Sequence, residues 1–195
     1  MNILYYTNSD AAYDDILPII ELIETNIIIQ TDKPSLAEIK RNNISFILSD
    51  RSRYLINDEI IDHLPGRIVN LHPSYLPWNR GYHPNYWSIK DQAPHGVTIH
   101  QINSGIDTGN IIAQRLVEYN ENDTFRDTYL DLRKEMLGLF MEFWPSIISG
   151  TYKVKEQSPQ EGSLYLKKDF EGEQKYLPSG WDTKIALFRK LVNEK

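Results

Sequence analysis

Asn70 and His72 are the residues whose types and spacing most readily do chemistry. Two positions apart on an extended segment, they project from the same face. A carboxamide N–H that can hold a carbonyl oxygen then stands beside an imidazole that can move a proton, and that pair suits acyl transfer. Asp107 sits in the turn Gly105-Ile106-Asp107-Thr108-Gly109 and can orient the imidazole if the turn folds beside it. An adjacent carboxylate raises an imidazole pKa, so the base is expected near or above neutral pH. His72 and Asp107 each also read as ordinary structural residues, a strand-end histidine and a tight-turn aspartate. Arg51, Arg53 and Tyr54 read equally as a ligand-contacting loop or as a solvated turn. His95 and His100, five positions apart on an extended segment, tend to opposite faces, and no HExxH pattern occurs, so no metal site is expected.

The elements that must position the pair are legible around it. Residues 67–72 form a short apolar strand started by Gly66, and Pro73 and Pro77 forbid its continuation. A stiff loop carrying Tyr75, Trp78 and Arg80 then covers the strand end. Upstream, residues 2–7 read as a strand and residues 11–24 as a helix that Pro18 delays or kinks. The unbroken apolar run at 26–30 predicts a strand buried on both faces. Ser35 and Glu38 make a capping box for a short helix, followed by a strand at 44–49 and a helix at 57–64. Alternation at this spacing predicts βαβ units and a mostly parallel α/β sheet flanked by helices, with ligands beyond the carboxyl ends of the strands. YTNSDAA, after the first strand, lacks the glycines of a dinucleotide or ATP phosphate cradle.

Downstream, Pro84 to Lys90 predicts a helix whose Tyr86 and Trp87 pack rather than bind, and strands follow at 97–102 and 110–119. Asn122, Asp123 or Thr124 caps a long helix to about Ser149, with Leu132, Met136, Leu139, Phe140 and Phe143 facing the sheet. Residues 181–192 predict a terminal helix. The 195 residues, 41% hydrophobic and 25% charged, suffice for one domain with a full core. We read residues 1–150 as the catalytic part and 151–195 as a small extension packed on it or used to form a homodimer. A net charge of −6 argues against nucleic-acid and membrane partners, so any anionic substrate needs a few local cations. The absence of cysteine excludes thiolate nucleophiles and cysteine zinc sites. No basic leader and no run of about 18 to 20 apolar residues occurs, so a cytoplasmic protein is expected.

Asn70-Leu71-His72-Pro73-Ser74-Tyr75-Leu76-Pro77 with Arg80-Gly81, then His95-Gly96-Val97-Thr98-Ile99-His100 and the 105–109 turn, closely resembles the formyl transferase family. Glycinamide ribonucleotide formyltransferase, methionyl-tRNA formyltransferase and the sugar N-formyltransferases belong to it, all using 10-formyltetrahydrofolate. The resemblance covers roughly residues 44–119. Trp78-Asn79-Arg80-Gly81, Pro84-Asn85-Tyr86-Trp87 and Gly180-Trp181-Asp182-Thr183 are most similar to the sugar branch.

The resemblance implies a Rossmann-like domain in which Asn70 polarises the formyl oxygen, His72 handles the proton of the attacking amine and Asp107 orients His72. It implies a pterin pocket lined by Arg53, Tyr54 and Leu55 with Asn103, Ser104 and Gly105, and acceptor contacts from Tyr75, Trp78 and Arg80. The expected reaction is direct attack of a primary amine, on a nucleotide-linked amino sugar of surface-polysaccharide (lipopolysaccharide) synthesis, without a covalent enzyme intermediate or a metal. Fewer residues precede Asn70 than the family usually has, as though a βα unit were shortened, and the glycine loop that holds the substrate phosphate in the ribonucleotide enzyme is missing. The basic RNA-binding domain of the tRNA enzyme is missing too. Hydrolysis of the formyl-folate, and a folate- or sugar-binding module without catalysis, are the rival readings.

Overall fold

The predicted alternation builds one six-stranded sheet. The computed structural model describes residues 1–8, 15–24, 26–158 and 160–194. Strands β1 (Asn2–Thr7), β2 (Ile27–Gln30), β3 (Ile44–Asp50) and β4 (Ile68–His72) are parallel neighbours. A two-residue strand, β5 (Arg80–Gly81), leaves this sheet. Strand β6 (Gly96–Gln101) returns antiparallel to β4, and β7 (Ile111–Leu116) antiparallel to β6, giving the order β2-β1-β3-β4-β6-β7. Far along the chain β8 (Leu164–Tyr165) pairs with β5.

Helices α1 (Leu17–Ile23), α2 (Leu36–Arg41), α3 (Asp58–His63), α4 (Pro84–Lys90), α5 (Phe125–Ser149) and α6 (Ile185–Asn193) complete the chain. The central strands are apolar runs because both faces are covered. Leu132, Met136 and Phe140 of α5 share one core with Tyr5, Phe46, Val69 and Leu71. Ile39 of α2 and Ile60 of α3 share another with Leu4, Ile47 and Ile68. Strand β2 departs from the expectation of burial on both faces: it lies at the sheet edge with only β1 beside it, and Ile29 is 47% exposed. Helix α1 starts late, at Leu17, so Pro18 falls in the first turn, where its missing N–H loses no helical partner. Residues 11–14 of the expected helix lie outside the described residues.

Thr124 caps α5 in a reciprocal box with Asp127. At the other end of the chain, Phe170, Tyr176 and Phe188 pack with Tyr86 and Phe125 in a third core. Trp87 stacks on Tyr165 at 3.9 Å between ring centres, so both α4 aromatics do pack. The terminal helix is shorter than expected: Trp181 belongs to a 3-10 turn, and α6 begins at Ile185. The N–H groups of Ile185 and Ala186, which have no partner within the helix, donate to the carbonyls of Asp123 and Glu121, both at 2.9 Å, which fixes the start there. Among the described residues no helix is long and apolar enough to cross a membrane.

Candidate active site

Strand β4 sends Val69 and Leu71 into the core under α5 and presents Asn70 and His72 on the opposite face. Antiparallel pairing sets His100 of β6 opposite Asn70 and Thr98 opposite His72. Paired residues share a face, so Asn70 Nδ2 lies 3.1 Å from His100 Nε2. His100 Nδ1 donates to the carbonyl of Gln101 at 2.7 Å. In the neutral ring Nε2 therefore accepts one amide hydrogen of Asn70, and the other remains for a ligand oxygen. His72 Nε2 lies 3.2 Å from the carbonyl of Asn79, which can only accept, so that nitrogen carries the hydrogen. The basic nitrogen of His72 is then Nδ1.

Asp107 meets both imidazoles. Its Oδ2 is 3.6 Å from His72 Nδ1 and its Oδ1 is 3.5 Å from His100 Nε2. Oδ2 also accepts the Gly81 N–H at 2.8 Å. The turn delivers Asp107 in a left-handed conformation (φ 51°), which aspartate tolerates better than most residues. Asn103 Oδ1 builds the turn by accepting the Gly105 N–H (3.1 Å) and the Thr108 hydroxyl (2.8 Å). A Cβ on Gly109 would stand 1.7 Å from the Gln101 carbonyl oxygen, so the turn closes against β6 only with glycine there.

The electrostatics correct one expectation. Burial depresses the His72 pKa below its ordinary value and outweighs the Asp107 charge, which raises it; His100 lowers it further. The ring loses more hydration of its charged form than a carboxylate beyond hydrogen-bond reach restores. His72 is therefore a neutral base at neutral pH. Burial works against ionisation of Asp107 too, but the two imidazoles, His72 and His100, in their protonated forms, together with the Gly81 N–H, hold its carboxyl well below the usual range. A neutral imidazole faces a charged carboxylate, the state in which His72 can accept a proton.

These four residues line a cavity of about 1010 Å³. Arg53, Tyr54, Leu55, Asn103, Ser104 and Gly105 line it as well. Tyr54 and Leu55 keep 45% and 60% of their surface exposed. Tyr75, Trp78 and Arg80 are not among the lining residues. The Arg80 guanidinium instead donates to Gln157 Oε1 at 3.2 and 3.0 Å, and the loop turns inward at the fully buried Asn79. Tyr82, His83, Tyr129 and Trp181 do line the cavity. Burial pushes His83 down to about 4.

His100 joins the candidate site without any signal in its own segment; what brings it there is the pairing of β4 with β6, a long-range fact. His95 stays structural, with its ring nitrogens at Val117 O (2.9 Å) and Asn85 Oδ1 (3.0 Å). Among the described residues no cluster of three or more histidine, cysteine, aspartate or glutamate residues could hold a metal ion.

The family described as formyl transferase matches residues 29–142, an interval that holds Asn70, His72, His100 and Asp107. The chain belongs to the formyl transferase family. Among solved structures, this formyl transferase is similar to the formyltransferase PseJ of Anoxybacillus kamchatkensis, in complex with UDP-4,6-dideoxy-4-formamido-L-AltNAc and tetrahydrofolate. The two are 40% identical, with a TM-score of 0.89 over 96% of this chain and 97% of that one. It is 42% identical over 105 residues to the dTDP-4-amino-4,6-dideoxyglucose formyltransferase of Mycobacterium tuberculosis, covering 54% of this chain and 44% of the relative. It is 34% identical over 95 residues to the phosphoribosylglycinamide formyltransferase of Bacillus subtilis, covering 48% and 47%. The matched segments thus span less than half the length of these last two relatives.

Proposed function

We propose that this formyl transferase moves the formyl group of 10-formyltetrahydrofolate to the primary amine of a nucleotide-linked amino sugar. The observation that carries the reading is the joint opening of the Asn70 amide, the neutral His72 and the ionised Asp107 onto one cavity of about 1010 Å³. That volume sits at the top of the range of about 300–1000 Å³ usual for a single ligand site, so it suits two reactants together. The half-exposed Tyr54 and Leu55 suit the flat ring faces of the pterin. The wall of Tyr82, His83, Tyr129 and Trp181 suits a nucleobase and sugar, and Lys33 on the lining suits the diphosphate, while the Arg126 guanidinium, also on the lining, pairs with Asp182. The ligands named for the PseJ complex, a UDP-linked formamido sugar and tetrahydrofolate, support the same pairing.

In the proposed reaction the amine nitrogen attacks the formyl carbon. The free amide N–H of Asn70 holds the oxygen as it gains negative charge, an interaction typically worth about 3 to 4 kcal/mol. His72 Nδ1 takes the proton that the attacking nitrogen sheds, and Asp107 stabilises the resulting imidazolium. The same proton then goes to the departing folate nitrogen as the carbonyl re-forms, so no covalent enzyme intermediate arises. Both reactants are anionic and do not cross membranes unaided, which supports a cytoplasmic setting. Leu164, Leu166 and Leu187, exposed on the C-terminal segment, support a homodimer formed there, and sedimentation of the full chain tests it.

The deciding assay follows loss of the formyl group from 10-formyltetrahydrofolate with a panel of nucleotide-linked amino sugars, with glycinamide ribonucleotide, and with no acceptor. Turnover that requires an amino-sugar nucleotide is expected. Formate release without acceptor would make the protein a hydrolase. Binding of a folate analogue with no turnover at all would leave a binding module.

A further inference from the structure

Gln157 and Ser163 lie beyond the matched family interval of 29–142 and outside the cavity lining. Their side chains nonetheless end on the groups that hold the catalytic residues. The Gln157 amide nitrogen donates to the carbonyls of Asp107 at 2.8 Å and Gly109 at 2.7 Å. Its oxygen accepts Nε and Nη2 of Arg80 at 3.2 and 3.0 Å. Two N–H groups and two lone pairs are all an amide has, so every one is engaged and the orientation is fixed from both sides. The Asp107 turn is thereby tied to β5, whose Gly81 N–H already meets the Asp107 carboxylate.

Ser163 acts on the other group. Its hydroxyl accepts the Asn79 N–H at 2.9 Å and donates to Asn79 Oδ1 at 3.0 Å. Asn79 is held in the left-handed region (φ 58°), and its carbonyl is the one that meets His72 Nε2. The surrounding backbone is zipped in the same place: Arg80 N–H donates to Ser163 O at 2.9 Å and Tyr82 N–H to Tyr165 O at 2.7 Å. A Cβ on Gly162 would fall 1.9 Å from the Pro77 carbonyl oxygen, so the two segments meet at glycine distance.

We propose that Gln157 and Ser163 are positioning residues, Gln157 setting the Asp107 turn against His72 and Ser163 setting the Asn79 carbonyl that decides which nitrogen of His72 is basic. The kinetic consequences rest on the formyl-transfer reading above. The charged and titratable groups concerned are Asp107 and His100, which face His72, and Arg80, which lies against the Asp107 turn. Releasing the turn removes from His72 the charge that raises its pKa. Releasing Asn79 lets the imidazole hydrogen move to Nδ1 and occupy the basic site.

The test uses the full chain with Gln157→Met, which keeps length and adds no charge, and separately Ser163→Ala. Wild type and both variants are compared by kcat and KM, by the pH dependence of kcat/KM, by melting temperature, and by imidazole nitrogen NMR of His72 without substrate. Misplacement of a catalytic group by about 1 Å can cost on the order of 100-fold, so a 10- to 100-fold fall in kcat is expected for Gln157→Met. KM for the formyl donor should stay within about threefold, and the acid limb of the profile should move to lower pH. Ser163→Ala should show a mixed His72 tautomer, with a smaller fall in kcat. Wild-type kcat, acid limb and tautomer in both variants would overturn the proposal. So would a kcat loss that tracks melting temperature while the acid limb and the His72 signals stay put. If the wild type transferred no formyl group, that would sink the functional reading alone; the His72 titration in Gln157→Met and its tautomer in Ser163→Ala would still decide the positioning roles.

Discussion

The two halves of the candidate catalytic cluster are supported in different ways. Asn70, His72 and His100 ride on β4 and β6, whose backbones are laddered together and whose opposite faces, Val69, Leu71, Val97 and Ile99, are sunk in the main core. Asp107 hangs on a left-handed turn held by side-chain amides, one backbone N–H and a glycine contact. The groups that would bind the formyl oxygen and move the proton are placed by the sheet itself. The charge that tunes them is placed by a few polar contacts drawn from distant parts of the chain. On the proposed roles, substitutions far from the cavity would retune His72 without touching it.

The strand side should break hardest. His72→Ala is expected to lower kcat by at least about 100-fold with the fold intact, and Asn70→Ala by about 100- to 1000-fold. Near-wild-type turnover with unchanged circular dichroism would remove either role. Asp107→Asn breaks the turn side alone. Because the Asp107 charge raises the His72 pKa, its loss should move the acid limb of kcat/KM to lower pH while kcat falls about 10- to 100-fold. A limb that stays in place would detach the two residues. Gly109→Ala tests the support beneath Asp107: the clash with the Gln101 carbonyl should destabilise the protein by about 1–3 kcal/mol. Activity should fall more than stability alone explains, as read by urea titration beside the kinetics.

The smallest effect compares the site with its aromatic wall. His72, His83 and His95 are all depressed by burial, His83 to about 4. Between that value and the unfolded pKa of about 6.5 the unfolded chain binds more protons. The stability these rings contribute is full above about 6.5 and is lost as pH falls through the folded values. His83→Asn, which tolerates the left-handed backbone at this position (φ 52°), should flatten part of that decline. An unchanged slope of urea midpoint against pH would show that His83 does not titrate as its burial implies.

Much of this was readable from the residues. Strand β4, its proline-locked exit, the Asp107 turn, α4 and the capped α5 follow from local periodicity and from chemistry at fixed spacing. What was misread depends on partners far away in sequence. His100 joins the site because β6 runs antiparallel beside β4, and spacing within β6 alone says nothing of its neighbour across the ladder. Tyr75, Trp78 and Arg80 follow the strand end in sequence yet stay off the cavity lining, because the loop turns inward at Asn79 and offers that residue's backbone carbonyl. The sign of the His72 shift needed the depth of burial, a tertiary quantity. The apolar run of β2 looked like a central strand because composition does not record how many neighbours a strand has.

The pairing of β5 with β8 has a consequence for the order of events during synthesis. Ser163 is joined to Asn79 across 84 positions of chain. Contacts that close so long a loop form late, after the locally connected sheet has settled. Asn70, His72 and Asp107 can therefore all be translated, and β4 already paired with β6, before the contacts proposed to set the His72 tautomer exist. A nascent chain paused before Gln157 would carry every reacting group and, on the proposed roles of Gln157 and Ser163, turn over more slowly. On the proposed roles, the segment that carries Gln157 and Ser163 would bring the site to full activity only after the groups it positions are already in place.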